Sequence, residues 1–152
     1  LKNGNIFKQG GLDGSLSKKL FNSGIGIRKI ISVDIDPACE DVAKTINMRQ
    51  HMEGKFTAVT ADMCTYEYNE SPNMIINTSC EHITQEQYSK WLQNVPNRSK
   101  IIVQSNDYFE LDEHINCSKD LKEFESKSEL KIYKSAELKL PKYNRFMIVG
   151  YK

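Results

Sequence analysis

Apolar residues fall along this chain in two rhythms. Short unbroken runs appear at Ile30–Asp34, Phe56–Thr60, Met74–Ile76 and Ile101–Val103. They have the length of strands, and Ile30, Ile31 and Val33 are β-branched. Such runs suit strands covered on both faces. Asn5-Ile6-Phe7 is a shorter stretch of the same kind.

Between these runs the spacing changes. Ser15 to Phe21 reads as a helix. Cys39, Val42, Ala43 and Ile46 fall at i, i+3, i+4 and i+7, one helical stripe. Asp36 precedes Pro37, which predicts an N-cap followed by a proline at the first helical position. Arg49 to Lys55 is polar and predicts a loop. Thr84 and Gln87 form a capping box ahead of Tyr88, Trp91, Leu92 and Val95, and Pro96 stops that helix. Lys119 to Lys127 predicts a short amphipathic helix with Leu121 and Phe124 inward. Leu130–Leu140 and Arg145–Tyr151 predict two strands joined through Pro141-Lys142-Tyr143-Asn144. Alternating strands and helices with a terminal hairpin imply an α/β, doubly wound sheet with an antiparallel edge. No boundary divides residues 1–152, which predicts a single domain.

Polar residues at the strand ends carry the chemistry. Asp34, Asp62 and Asn77 each close a predicted parallel strand, where open α/β sheets bind ligands. Upstream lies Gly10-Gly11-Leu12-Asp13-Gly14, between the first strand and the first helix. Gly14 and Asp34 are 20 residues apart. That is close to the interval between a glycine loop and a ribose-binding acid in nucleotide-binding βαβ units. Asp34 is therefore a ribose candidate, whereas Asp36 is better explained as a helix cap.

Composition narrows the classes. Hydrophobic residues are 39% and charged residues 27%, as in an ordinary globular protein. Net charge is +1, and residues 1–76 carry nine basic and nine acidic side chains. Neither half is a basic face, so the electrostatic footprint of a nucleic-acid binder is absent. No apolar run has the length of a membrane span, and no signal peptide is visible. Cys39, Cys64, Cys80 and Cys117 form no C-x-x-C pair, and the three histidines are scattered. The spacing predicts neither a zinc site nor a disulfide framework, and reduced thiols suggest a cytoplasmic protein. The chain begins at Leu1, so a preceding lid segment stays open as a possibility.

The chain resembles the class I S-adenosylmethionine (SAM) dependent methyltransferases. Gly10 to Gly14 stand as the glycine loop and Val33-Asp34-Ile35 as the ribose site. Thr60-Ala61-Asp62-Met63 matches the adenine site, and Ile76-Asn77-Thr78 the segment beside the methyl donor. The text from Asn77-Thr78-Ser79-Cys80-Glu81-His82 through Gln104-Ser105-Asn106 to Arg145-Phe146-Met147 is also similar to small methyltransferase-like proteins of bacteriophages. The resemblance implies a mostly parallel seven-stranded sheet of order 3-2-1-4-5-7-6 with strand 7 antiparallel. It implies SAM as cofactor and S-adenosylhomocysteine (SAH) as product. Asp34 would hold the ribose hydroxyls and Asp62 the adenine amino group. Ile35 and Met63 would sandwich the ring, and Gly10, Gly11, Asp13, Gly14 and Asn77 would complete the cofactor site. The glycine loop departs from the family's usual G-x-G-x-G.

Methyl transfer asks the protein mainly to position an acceptor and exclude water. A base helps when the acceptor must lose a proton. His82 and Glu81 follow the fourth strand. His82 reads equally as that base or as a residue packed at a helix start. Glu81 would orient it or bind an amine. Cys80 is a buried thiol by default. Asn106 and Tyr108, beyond the fifth strand, are candidates for the acceptor pocket, and His114 is a weaker one. An Asn-Pro-Pro-Tyr signature of base-methylating enzymes is absent. The acceptor is then a small molecule or a protein. Two rival readings are a non-catalytic partner or inhibitor with the same fold, and a different nucleotide-binding enzyme such as a dehydrogenase.

Overall fold

The computed structural model describes residues 4–10 and 14–152. Gly11 and Asp13, two of the glycine-loop candidates, lie outside the described residues.

The central strand is the first one, β1 (Gly4–Gln9), buried along its whole length. It pairs in parallel with β2 (Ile27–Asp34) on one side and β4 (Met74–Asn77) on the other. Outward on the first side lies β3 (Phe56–Thr60), also parallel. Outward on the second side lies β5 (Lys100–Asn106), parallel again. The hairpin then closes the sheet. β7 (Asn144–Tyr151) runs antiparallel to β5, and β6 (Lys131–Lys139) runs antiparallel to β7 at the edge. The order is β3-β2-β1-β4-β5-β7-β6, as the resemblance implied.

Successive residues of a strand point to opposite faces, and the core divides accordingly. Ile6, Ile30 and Ile76 face one cluster, which holds Ala43 and Phe56. Leu16 and Leu20 of α1 (Ser15–Asn22) pack against that cluster. Phe7, Ile31 and Ile75 face the other, around Tyr88, Trp91 and Leu92 of α4 (Gln85–Asn94). A sheet buried on both faces explains why its strands read as unbroken apolar runs. The edge strand β6 is mostly exposed and carries Lys131, Lys134 and Lys139, charges that discourage further pairing.

Helix α2 (Ala38–Ile46) follows β2 directly. Asp36 Oδ1 accepts from the Ala38 N–H at 2.9 Å, the capping role expected of it. The expected stripe is narrower than its spacing suggested. Cys39 and Ala43 are buried, but Val42 is 48% exposed. The predicted loop after it is corrected in part. Met48–Met52 forms one helical turn, α3. Buried Asn47 sets it up by accepting from the His51 N–H at 2.8 Å. No apolar stripe marks so short a turn. The capping box of α4 is present in full, with Gln87 N–H donating to Thr84 Oγ1 and Thr84 N–H to Gln87 Oε1. Helix α5 (Leu121–Lys127) is capped by Asp120, which accepts from Glu123 N–H at 2.7 Å. Among the described residues no helix is long and apolar enough to cross a membrane.

Candidate active site

The carboxyl ends of β1, β2, β3 and β4 converge on one cleft of about 670 Å³. That volume lies within the range of small-molecule sites. One wall is lined by Asp34 and Ile35 from the end of β2 and by Asp62 and Met63 from the end of β3. The opposite wall is lined by Ser79, Glu81, His82, Glu113 and Arg145, with Gly10 at the floor. The strand order reverses here, since β1 has β2 on one side and β4 on the other. A ligand crevice is expected at such a switch point.

The floor is shaped by close backbone approach. Gly10 has φ +66°, and a Cβ built on it would overlap the Ser79 side chain. Its N–H donates to Val33 O at 3.2 Å, which ties the loop to β2. Gly14 has φ +70°, and Asn47 Nδ2 donates to its carbonyl at 3.0 Å. The same amide donates to Ala43 O at 3.0 Å, so Asn47 staples the glycine loop to α2. Nothing in the sequence marked Asn47, because its partners are backbone atoms brought up by folding.

The acidic wall is preorganised. Asp34 Oδ1 accepts from the Asp36 N–H at 3.1 Å, and Asp62 Oδ1 accepts from the Cys64 N–H at 2.8 Å. Each carboxylate is thus held by its own turn. Ile35 is 72% exposed, an apolar side chain facing the cleft. Asn77, by contrast, is fully buried and does not line the cleft. Its Oδ1 accepts from Ser79 N–H at 2.9 Å and its Nδ2 reaches Met63 Sδ at 3.7 Å. It positions the lining rather than forming it.

The opposite wall is built around Glu81, on the turn Cys80–His82 after β4. Glu81 is 2% exposed. Its Oε1 accepts from Asn106 Nδ2 at 2.8 Å and from Arg145 Nη2 at 3.0 Å. Asn106 and Arg145 stand opposite each other in the β5–β7 register. His82 is exposed, and its Nδ1 meets Glu113 O at 3.2 Å. The carbonyl of Glu113, not Glu81, therefore sets the ring. His114 sits edge-on to His82, with ring centroids 4.8 Å apart.

Asn106 and Tyr108 line other ground. Asn106 is 1% exposed and spends its amide on Glu81, Tyr108 N–H and Cys117 Sγ. Tyr108 stacks on Tyr143 at 5.4 Å. Neither is among the cleft-lining residues. Arg145, Glu113, Ser79 and Gln87 are, and the sequence had assigned them no role. All four cysteines are free and buried. Burial pushes the Cys80 thiol far up, with Glu81 adding to it, and pushes Cys64 and Cys117 up to about 11. Thiols so protonated are poor nucleophiles.

No protein-family model matches the chain. No curated protein matches it in sequence either. Solved structures do. N-methyltransferase NodS from Bradyrhizobium japonicum WM9 superposes with a TM-score of 0.74 at 12% identity, over 99% of this chain and 86% of that one. Its complex with S-adenosyl-L-homocysteine gives 0.75 at 10% identity, over 99% and 79%. Geranyl diphosphate C-methyltransferase from Streptomyces coelicolor A3(2), in complex with Mg2+, geranyl diphosphate and S-adenosyl-L-homocysteine, gives 0.72 at 9% identity, over 98% and 72%. The chain has the class I methyltransferase fold. At such identities the likeness concerns the fold, and the chemistry must come from the cleft itself.

Proposed function

We propose that the protein transfers a methyl group from SAM to an acceptor held at the Glu81–His82 wall of the cleft. One observation carries this. Two carboxylates, Asp34 at the end of β2 and Asp62 just past the end of β3, line one side of the cleft, and a buried carboxylate with a histidine lines the other. A two-sided polar cleft suits a reaction between two bound molecules.

The residues present fit the cofactor. Gly10 lines the cleft between the two walls. The carboxylate of Asp34 is set to accept from the ribose hydroxyls and that of Asp62 from the adenine amino group. Ile35 and Met63 offer apolar contact to the ring. When bound, SAM supplies an electrophilic methyl on a sulfonium. The chain's own task is then alignment, exclusion of water and removal of a proton. A carbonyl can only accept, so His82 Nδ1 carries the hydrogen towards Glu113 O. His82 Nε2 then holds the lone pair and can take the acceptor's proton. Glu81 Oε2 has no hydrogen-bond partner and can receive an acceptor N–H or O–H. The cleft volume and the small-molecule substrate of the geranyl diphosphate enzyme favour a small acceptor.

Calorimetric titration with SAM, SAH and NAD tests the reading. SAM and SAH should each bind one site, and NAD should not. Binding of none of the three would leave a non-catalytic partner protein of this fold. Binding of NAD alone would point to a dehydrogenase.

A further inference from the structure

The fold brings His114 to the adjacent pair Glu81 and His82 at the acceptor wall. A carboxylate oxygen of Glu81 and a ring nitrogen from each of His82 and His114 all lie within 4.8 Å of one another. The hydrogen bonds around them decide which atoms are available. His82 Nδ1 meets Glu113 O at 3.2 Å, and His114 Nδ1 meets Tyr108 O at 2.8 Å. Both carbonyls are acceptors only, so both rings carry hydrogen on Nδ1 and present a lone pair at Nε2. Glu81 Oε1 is held by Asn106 and Arg145, whereas Oε2 is buried without a partner.

We propose that Glu81, His82 and His114 bind a divalent transition-metal ion of the zinc type. Two neutral imidazoles and one carboxylate form a known zinc donor set, with a fourth position open to a ligand. Magnesium and calcium prefer oxygen donors and are disfavoured by two imidazoles. The surroundings also match. Metal-binding histidines characteristically donate their second ring N–H to a carbonyl or carboxylate, and the binding carboxylate is itself hydrogen-bonded. Both conditions are met before any ion is present. A buried carboxylate oxygen left without a donor is costly, and a cation answers it. Ligand atoms on tetrahedral zinc stand about 3.4 Å apart. From a separation of at most 4.8 Å the three must therefore close by up to about 1.4 Å, and His82 is exposed.

Glu81 and His82 line the cleft, so an ion they held would adjoin a bound acceptor. On the methyl-transfer reading, on which this step alone rests, an acceptor oxygen would bind there and be acidified by the ion. His82 Nε2 would then hold metal rather than take the proton. Chelator-sensitive turnover separates the two modes.

The test uses the full chain stripped with EDTA and titrated with ZnCl2, without SAM. One equivalent should bind, and Co2+ in its place should give visible bands of a four- or five-coordinate N/O site with no thiolate charge-transfer band. His82→Ala and His114→Ala should each weaken zinc at least about tenfold while keeping the far-UV spectrum. His51, the remaining histidine of the chain, lies on α3, and His51→Ala should bind zinc as the parent does. Absence of zinc binding in the parent overturns the proposal. So does unchanged affinity in His114→Ala, loss of binding in His51→Ala alone, or a thiolate band with cobalt. Because SAM is absent, none of these results depends on methyl transfer, which the SAM titration judges separately.

Discussion

Asn106 donates to Glu81 Oε1 at 2.8 Å, linking the end of β5 to the turn that follows β4. The bond holds a buried carboxylate in the wall of the cleft. Asn106→Leu keeps the volume and removes the donor. Hydrogen bonds to charged groups are worth about 1.5–3 kcal/mol, so stability measured by urea unfolding should fall by about that amount. An unchanged midpoint would mean that Arg145 alone satisfies Oε1.

Gly10 is the floor of the cleft, and two separate effects resist its replacement. Its φ of +66° is strained for any side chain, and a Cβ would meet Ser79. Gly10→Ala should destabilise by about 1–3 kcal/mol. Adding Ser79→Gly relieves the overlap but not the strain, so the double variant should recover part of the loss. Complete recovery would show that the backbone at residue 10 relaxes freely. A double-mutant cycle measures the split.

Much of this geometry was readable before the fold was known, and the reason is local. Asp34 and Asp62 follow short apolar runs, and a buried parallel strand writes itself as such a run. Thr84 and Gln87 announce their helix because both partners of the box lie within four residues. Arg145 was not legible as a site residue. It reaches Glu81 only because β7 pairs antiparallel with β5 and sets residue 145 opposite Asn106. His114 was legible only as a loop histidine, and its approach to His82 depends on the path of a loop after β5. Asn106 was expected in the pocket and instead lies behind it, because β5 continues through residue 106 and turns that side chain inward. Strand ends are encoded locally, whereas the pairing of one wall with the other is encoded by topology.

Asp34 closes β2 at the cleft, partly exposed, and its removal should spare the core. Asp34→Ala should weaken SAM by about 1–3 kcal/mol, the effect of losing a charged acceptor. Calorimetry reads the affinity, and thermal unfolding without ligand checks that the fold is kept. Unchanged affinity would move the ribose elsewhere.

Glu40 ties α2 to the end of β3. Its Oε1 pairs with Lys44 at 2.6 Å, and its Oε2 accepts from Thr60 N–H at 3.1 Å. Lys44 first, then Thr60, hold the carboxyl below its ordinary 4.5. A carboxyl depressed in the folded state contributes stability that is fully present above its unfolded value and is lost as pH falls through the folded one. Glu40→Gln should therefore remove part of the acid sensitivity below about pH 4.5 and lower stability at pH 7. Unfolding midpoints compared at pH 3.5 and 7 should converge between variant and parent at the acid end. A constant difference across that range would sever Glu40 from the acid response.

His82 stands at the wall opposite the cofactor carboxylates, and its exposed ring is aimed by the Glu113 carbonyl. It touches neither Asp34 nor Asp62 in any hydrogen bond of the described structure, so its loss should leave SAM affinity nearly unchanged. Its loss should reach turnover in either mode, as proton acceptor or as metal ligand. Removing a general base costs about 10²–10⁴-fold, and His82→Ala should fall in that range on an acceptor found by screening extracts with methyl-labelled SAM. Glu81→Gln should act on acceptor binding more than on SAM, because Glu81 lines the wall opposite Asp34 and Asp62 and its Oε2 has no partner. The response to EDTA then sorts the two modes. A lone imidazole base gives turnover that is the same whether or not EDTA is present. A metal-held acceptor gives turnover that EDTA abolishes and zinc restores. Full turnover in His82→Ala would make the histidine structural and leave catalysis to positioning alone.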